Sequence, residues 1–225
     1  MIRLEKSEAL QRIFRQDDVP DLAVPTWDLV SEAIKSGRTD EALDFHEYVR
    51  LESKRNNDTL ASFTEGVLTY LAGFGEEELE KVFRQRYYHS VSEWLAITPG
   101  VEETLRRCVD AQRGHQSNIA VKEEPDRYVV TYDPCGTGGR LRRTRSVGTT
   151  KKAYPWSWGE SGVSYYCCHC CIQREIIPIE LRGYPTRINL PGSRPEDPCV
   201  QLFYKKPELI PEEYFTRVGK TKTIK

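Results

Sequence analysis

Residues 165–181 read YYCCHCCIQREIIPIEL, and the fold depends on whether the chain turns here before entering a strand or runs extended throughout. Four of the seven cysteines and one of the four histidines lie between Tyr165 and Cys171. Five soft ligands in succession exceed what one tetrahedral metal can draw from a single turn of chain. In an extended strand Cys167, His169 and Cys171 would share one side, and Cys168 and Cys170 the other. A turn instead closes a CxxC pair on one metal. Gly159 and Gly162 favour a loop just upstream. The expectation is therefore a turn with Cys167 and Cys170 as ligands, then a strand from Ile172 that Pro178 confines to a sheet edge.

Two cysteines elsewhere complete a possible set. Cys135 lies in Asp133-Pro134-Cys135 and Cys199 in Asp197-Pro198-Cys199, the same tripeptide at two turns beside strands. Cys135, Cys167, Cys170 and Cys199 make a soft four-thiolate group of the kind zinc prefers, with His169 able to replace one thiolate. Iron or an iron–sulfur cluster ranks behind zinc. The competing reading is inert buried cysteine. A thioredoxin-like use of CxxC belongs at a strand-to-helix junction in a βαβ setting, which this sequence does not offer.

For chemistry at such a metal, Glu160, His169 and Asp133 are the candidate acids and bases, since a carboxylate or imidazole beside a zinc-bound water can move its proton. The bland alternatives are a solvated loop carboxylate for Glu160 and an Asx turn for Asp133. In Cys135-Gly136-Thr137-Gly138-Gly139-Arg140, the backbone of Gly138 and Gly139 could cradle an anion while Arg140 clamps it; a hairpin tip would use the same residues. Trp156 and Trp158 could wall a pocket for a flat molecule or pack the loop onto the sheet. Residues 134–159 contain no Asp or Glu but do contain Arg140, Arg142, Arg143, Arg145, Lys151 and Lys152, which suits an anionic ligand or a solvated basic loop.

Upstream the texture is helical. Glu5 to Arg15, Thr26 to Ser36, Glu41 to Tyr70, Glu76 to Leu95 and Val101 to Arg113 carry helix formers with apolar residues three and four apart. DDVPD, AVP, SGRTD and TPG separate them. Phe63, Val67, Tyr70, Leu71 and Phe74 form the best apolar stripe and are expected to face a core. After His115 two β-forming runs flank a Glu-Pro-Asp turn, as in a half-buried hairpin; VQLFY is a further strand and LIPEEYF a short helix. The fold class is α+β, a helical N-terminal half (residues 1–114) packed on a small antiparallel sheet in the C-terminal half (115–225), as one compact unit.

With 225 residues the chain can bury a substantial core without cross-links. It has no apolar run long enough to span a membrane and none at its start that resembles a secretory signal, so a cytoplasmic protein is expected. An odd cysteine count there favours metal ligation or free thiols over disulfides. A net charge of −1 and the lack of a recognition helix argue against a nucleic-acid partner. HExxH, GxSxG and kinase signatures are absent. These features point to a zinc-dependent hydrolase or lyase that cleaves a polar bond in a small anionic or aromatic molecule. The alternative is a non-enzymatic ligand-binding or interaction module with a structural zinc. Nothing in the sequence speaks to oligomeric state.

Overall fold

A computed structural model describes residues 3–8, 11–97 and 100–224. The chain divides into two compact units after Asn57. The first, Met1–Asn57, begins with an antiparallel hairpin of β1 (Leu4–Ser7) and β2 (Arg12–Arg15), with Leu4 opposite Arg15. A helix was expected over Glu5 to Arg15; its Ala9 and Leu10 lie outside the described residues. Gln11 has φ of 51°, a left-handed turn conformation that a right-handed helix cannot include, and the cross-strand ladder satisfies the backbone instead. The hairpin is tied to the unit by the Arg15 N–H, which donates to Tyr48 Oη at 3.2 Å. Helix α1 (Thr26–Lys35) and the start of α2 (Thr39–Ala72) bury Leu29 and Ala33, then Ala42, Phe45 and Tyr48 at helical spacing.

The second unit, Asp58–Lys225, holds the remainder of α2, α3 (Glu77–Ala96), α4 (Val101–Gly114) and a four-stranded antiparallel sheet. The sheet comprises β3 (Ile119–Glu123), β4 (Arg127–Tyr132), β5 (Ile188–Leu190) and β6 (Cys199–Tyr204), in the order β3-β4-β6-β5. Its registers set Tyr132 opposite both Ile119 and Cys199. On one face α4 lays Cys108 against Val130, Tyr132 and Phe203. Short helices α5 (Gly138–Thr144), α6 (Tyr165–Cys171), α7 (Ile177–Arg182) and α8 (Glu213–Thr216) complete the unit. The molecule is thus α+β. The TPG break expected between α3 and α4 lies partly outside the described residues, at Thr98 and Pro99. No helix among the described residues is long and apolar enough to cross a membrane.

Two expectations about faces and elements are corrected. Of the stripe, Phe63, Val67, Tyr70 and Phe74 are exposed, Phe63 at 71%, and only Leu71 packs, half-buried, against the core, while Ala61, Glu65 and Leu68 form the buried face. Glu65 faces inward because it accepts the Gly148 N–H at 2.7 Å and Thr69 Oγ1 at 3.0 Å, so a polar anchor rather than the larger apolar residues chose the helix face. The second correction concerns residues 165–181, which form neither a turn nor a strand. Helix α6 runs into a π-helical segment, Ile172–Ile176, and directly on into α7. Proline inside an α-helix clashes with the carbonyl four residues back; the wider i→i+5 turn before Pro178 accommodates it, and Pro178 sits in the first turn of α7.

Candidate metal centre

The helical conformation sorts the cysteine cluster. Residues three apart share a helix face, so Cys167 and Cys170 lie together while Cys168 and Cys171 point elsewhere. Cys168 and Cys171 are fully buried in the main core with Ile172 and Ile176. Cys167 and Cys170 line a small cavity of about 50 Å³ together with Cys135 and Cys199. The sheet explains the meeting: Cys199 is the first residue of β6, paired with Tyr132 at the end of β4, and the chain reaches Cys135 three residues beyond Tyr132. Three stretches far apart in sequence therefore deliver thiols to one place.

The loop after β4 is shaped around these sulfurs. Gly139 N–H donates to Cys135 Sγ at 2.9 Å, and Arg140 N–H to the Cys135 carbonyl at 3.0 Å. A Cβ on Gly138 would stand 2.9 Å from Cys167 Sγ, and one on Gly139 3.2 Å from Cys135 Sγ. The thiols leave no space for a Cβ at Gly138 and little at Gly139, and the Gly139 N–H serves a sulfur. Among the described residues no three His, Cys, Asp or Glu are drawn tightly enough together to hold an ion as they stand. The set is convergent rather than closed.

Electrostatics within the cavity are uneven. Burial, reinforced by the neighbouring Cys135 and Cys170, pushes the Cys167 thiol up to about 12. Burial and the other three thiols also raise Cys199. Burial alone would raise Cys170 as well, but the His169 imidazole, with Arg187 and Arg174, outweighs it and brings that thiol down to about 6. His169 Nε2 lies 3.5 Å from Cys170 Sγ, and its Nδ1 bonds to the Tyr166 carbonyl. The ring is disfavoured as a cation by burial yet raised overall by Cys170.

Comparison with protein families, curated proteins and solved structures finds no match.

The other residues expected at a site are dispersed. Trp158 borders the thiol cavity, but its indole N–H is committed to Glu175 Oε1 at 2.9 Å. Trp156 is buried in the core, where Tyr154 stacks on it at 4.5 Å, and it does not border the thiol cavity. Arg140 is not available as a substrate clamp: its Nε donates to Asp58 at 2.6 Å and its terminal nitrogens to the carbonyls of Gln116 and His115. Asp133 pairs with Arg143. Glu160 borders a separate open cleft of about 730 Å³ with Arg142, Arg143 and Arg145. In that cleft Arg142 and Arg143 are spent on main-chain carbonyls of residues 192–196, so the basic window mainly fastens loops.

The structure adds residues that the sequence gave no reason to choose. Tyr132 and Gln201 line the thiol cavity, and each has a buried side-chain oxygen without a hydrogen-bond partner. Asn189, also on the cavity wall, donates to the Cys170 carbonyl at 3.4 Å. For Asn189 and Gln201 the one sequence signal is position: polar residues inside the apolar strands INL and CVQLFY.

Proposed function

We propose that this chain is a zinc-thiolate protein in which Cys135, Cys167, Cys170 and Cys199 hold the metal, and that the centre fastens the loop after β4 and helix α6 to the start of β6. The observation that carries this reading is the convergence of four thiols from three separate segments on one cavity, beside glycines whose Cβ positions the sulfurs leave little or no room for. The donor set fits zinc, which takes four soft ligands in structural sites, and an N–H bond to a sulfur is the kind of outer contact that steadies a thiolate ligand. A bound zinc would supply a redox-inert cross-link and, where one ligand position opens to water, Lewis acidity.

A second reading, a hydrolase acting on a small anionic molecule, is favoured by the unpartnered oxygens of Tyr132 and Gln201 in the same cavity beside His169. In that reading His169 carries the proton, because Glu160 and Asp133 do not border the cavity. Elemental analysis of the purified protein tests both, with about one zinc per chain expected for a single four-ligand site. Absence of any metal would overturn them together, and iron in its place would redirect the chemistry. Cobalt substitution then separates them. Sulfur-to-cobalt absorption of a full four-thiolate site, with unfolding in Cys135→Ser, supports the closed centre; a weaker three-thiolate spectrum that responds to added anions supports the hydrolase.

A further inference from the structure

A second cavity, of about 300 Å³, opens between α3, α4 and the π-helical segment, and it has no Asp or Glu on its walls. Arg86, Arg107, Arg174 and Arg187 all border it. Arg107 is paired with Glu103 at 2.7 Å. The other three have no carboxylate partner among the described residues. Arg187 is only 4% exposed; it donates to Cys108 Sγ at 2.9 Å and Asn189 Oδ1 at 3.2 Å, neither a carboxylate. Arg174 makes no side-chain hydrogen bond or ion pair, its Nε is wholly shielded, and its guanidinium lies over the Trp94 ring at 5.7 Å. Arg86, at the exposed rim, rests on Tyr87 at 5.3 Å.

Several carboxylates on the elements around the cavity are committed elsewhere. Glu175 serves Trp158, Asn189 and Arg217 on the other side of the helix. Glu80 and Glu180 hold Arg84, Glu102 pairs with Arg106, and Asp110 with Arg113. Burial, and then the facing Arg187, hold the Arg174 guanidinium below the ordinary arginine range. The Cys108 and Cys170 thiols favour the charged guanidiniums, but no carboxylate lines the cavity, and shielded like charges without a carboxylate partner are costly unless an anion joins them. Arginine forks also match the oxygens of phosphate and carboxylate groups.

We propose that this cavity binds the doubly charged head of a small organic molecule, a phosphate monoester or a dicarboxylate, between Arg174 and Arg187 with Arg86 closing over it. Ser90 and Gln112 line the same walls and offer further hydrogen bonds. The volume admits a head group with a short organic remainder, and Trp94 and Tyr87 give that remainder aromatic surface. Gln112 borders both this cavity and the thiol cavity, so an occupant would lie next to the proposed metal centre. The inference goes beyond the zinc reading and does not depend on it.

Inorganic phosphate, malonate, acetate and chloride are titrated into the full chain at constant ionic strength, with melting temperature and calorimetry as readouts. Saturable stabilisation by phosphate or malonate, absent with chloride and weak with acetate, is expected, and the stronger of the two names the head group. Arg174→Gln and Arg86→Gln are each expected to weaken binding by about tenfold or more, the size of a lost charge-assisted hydrogen bond. Arg86 lies at the rim, so its variant keeps the test valid should Arg174→Gln fail to fold. Equal responses to phosphate and chloride overturn the proposal. So does an Arg174→Gln protein that binds phosphate as before but loses metal, which would make the guanidiniums counter-charges of the thiolate centre alone.

Discussion

Glu175 is fully buried and accepts hydrogen bonds from Trp158 Nε1 at 2.9 Å, Asn189 N at 2.7 Å, Asn189 Nδ2 at 2.9 Å and Arg217 Nη2 at 2.8 Å. One carboxylate thereby joins the tryptophan loop, the π-helical segment, β5 and the C-terminal helix. Removing it strands a buried charge and several donors, so Glu175→Ala is expected to cost about 3–5 kcal/mol, measured as a fall in urea midpoint at unchanged slope. A loss below about 1 kcal/mol, the scale of an exposed pair, would contradict this role. Glu65 is a different case. Burial raises its carboxyl above the ordinary value despite the bonds from Gly148 and Thr69, and its Oε2 has no partner. A raised folded-state pKa gives stability that is complete below the unfolded value, about 4.3, and is lost as pH rises through the folded value. Glu65→Gln is therefore expected to gain melting temperature over the wild type at pH 7 and to gain little or nothing near pH 4. An identical difference at both pH values would show that ionisation of Glu65 is not the cause.

At the scale of elements, helix α2 separates hydrophobicity from burial. Leu68 is 4% exposed and Phe63 71%, although phenylalanine is the larger apolar group. Leu68→Ala is expected to cost about 2–5 kcal/mol through lost transfer energy and a cavity, whereas Phe63→Ser should stay within about 0.5 kcal/mol. Chemical denaturation of the pair checks the assignment, and a reversal of the two losses would refute it. The periodicity at residues 60–74 makes a helix plain but permits two faces, and the choice went to the one where Glu65 meets the Gly148 backbone. Residues 165–182 pose the same problem more sharply. Their β-branched isoleucines and Pro178 argue locally for a strand, yet packing against α3 and the sheet makes the stretch helical, with the π turn absorbing the proline.

Over the whole molecule, the four thiols belong to segments 135, 167–170 and 199, so a metal binding them would cross-link the loop after β4 to helix α6 and the start of β6. Chelation of the native protein is expected to lower its melting temperature by on the order of 10 °C and to restore it on adding zinc. An unchanged transition after complete metal removal would remove the cross-linking role. Only part of the placement of these four cysteines on one cavity was legible in advance: Cys167 and Cys170 share a face in a helix as they would in a tight turn, while the sheet brings Cys135 and Cys199 beside them. Arg140, Trp156 and Glu160 were misleading for a complementary reason. Their residue types suit a site, but side-chain partners drawn from distant segments, such as Asp58 for Arg140, decide whether a charge or ring is free.

The sequence by itself determined the elements whose periodicity repeats over several turns or strand pairs: the helices over 26–35, 39–72, 77–96 and 101–114, the 119–132 hairpin and the 199–204 strand. It also determined the α+β class, because these patterns arise from neighbours in the chain. The tertiary structure alone decided which face of α2 is buried, that 165–182 is helical, and that Arg174 and Arg187 border one cavity without a carboxylate on its walls. Each of those outcomes depends on partners some twenty to a hundred residues away or on what two unlinked side chains leave uncompensated, and no local pattern encodes it.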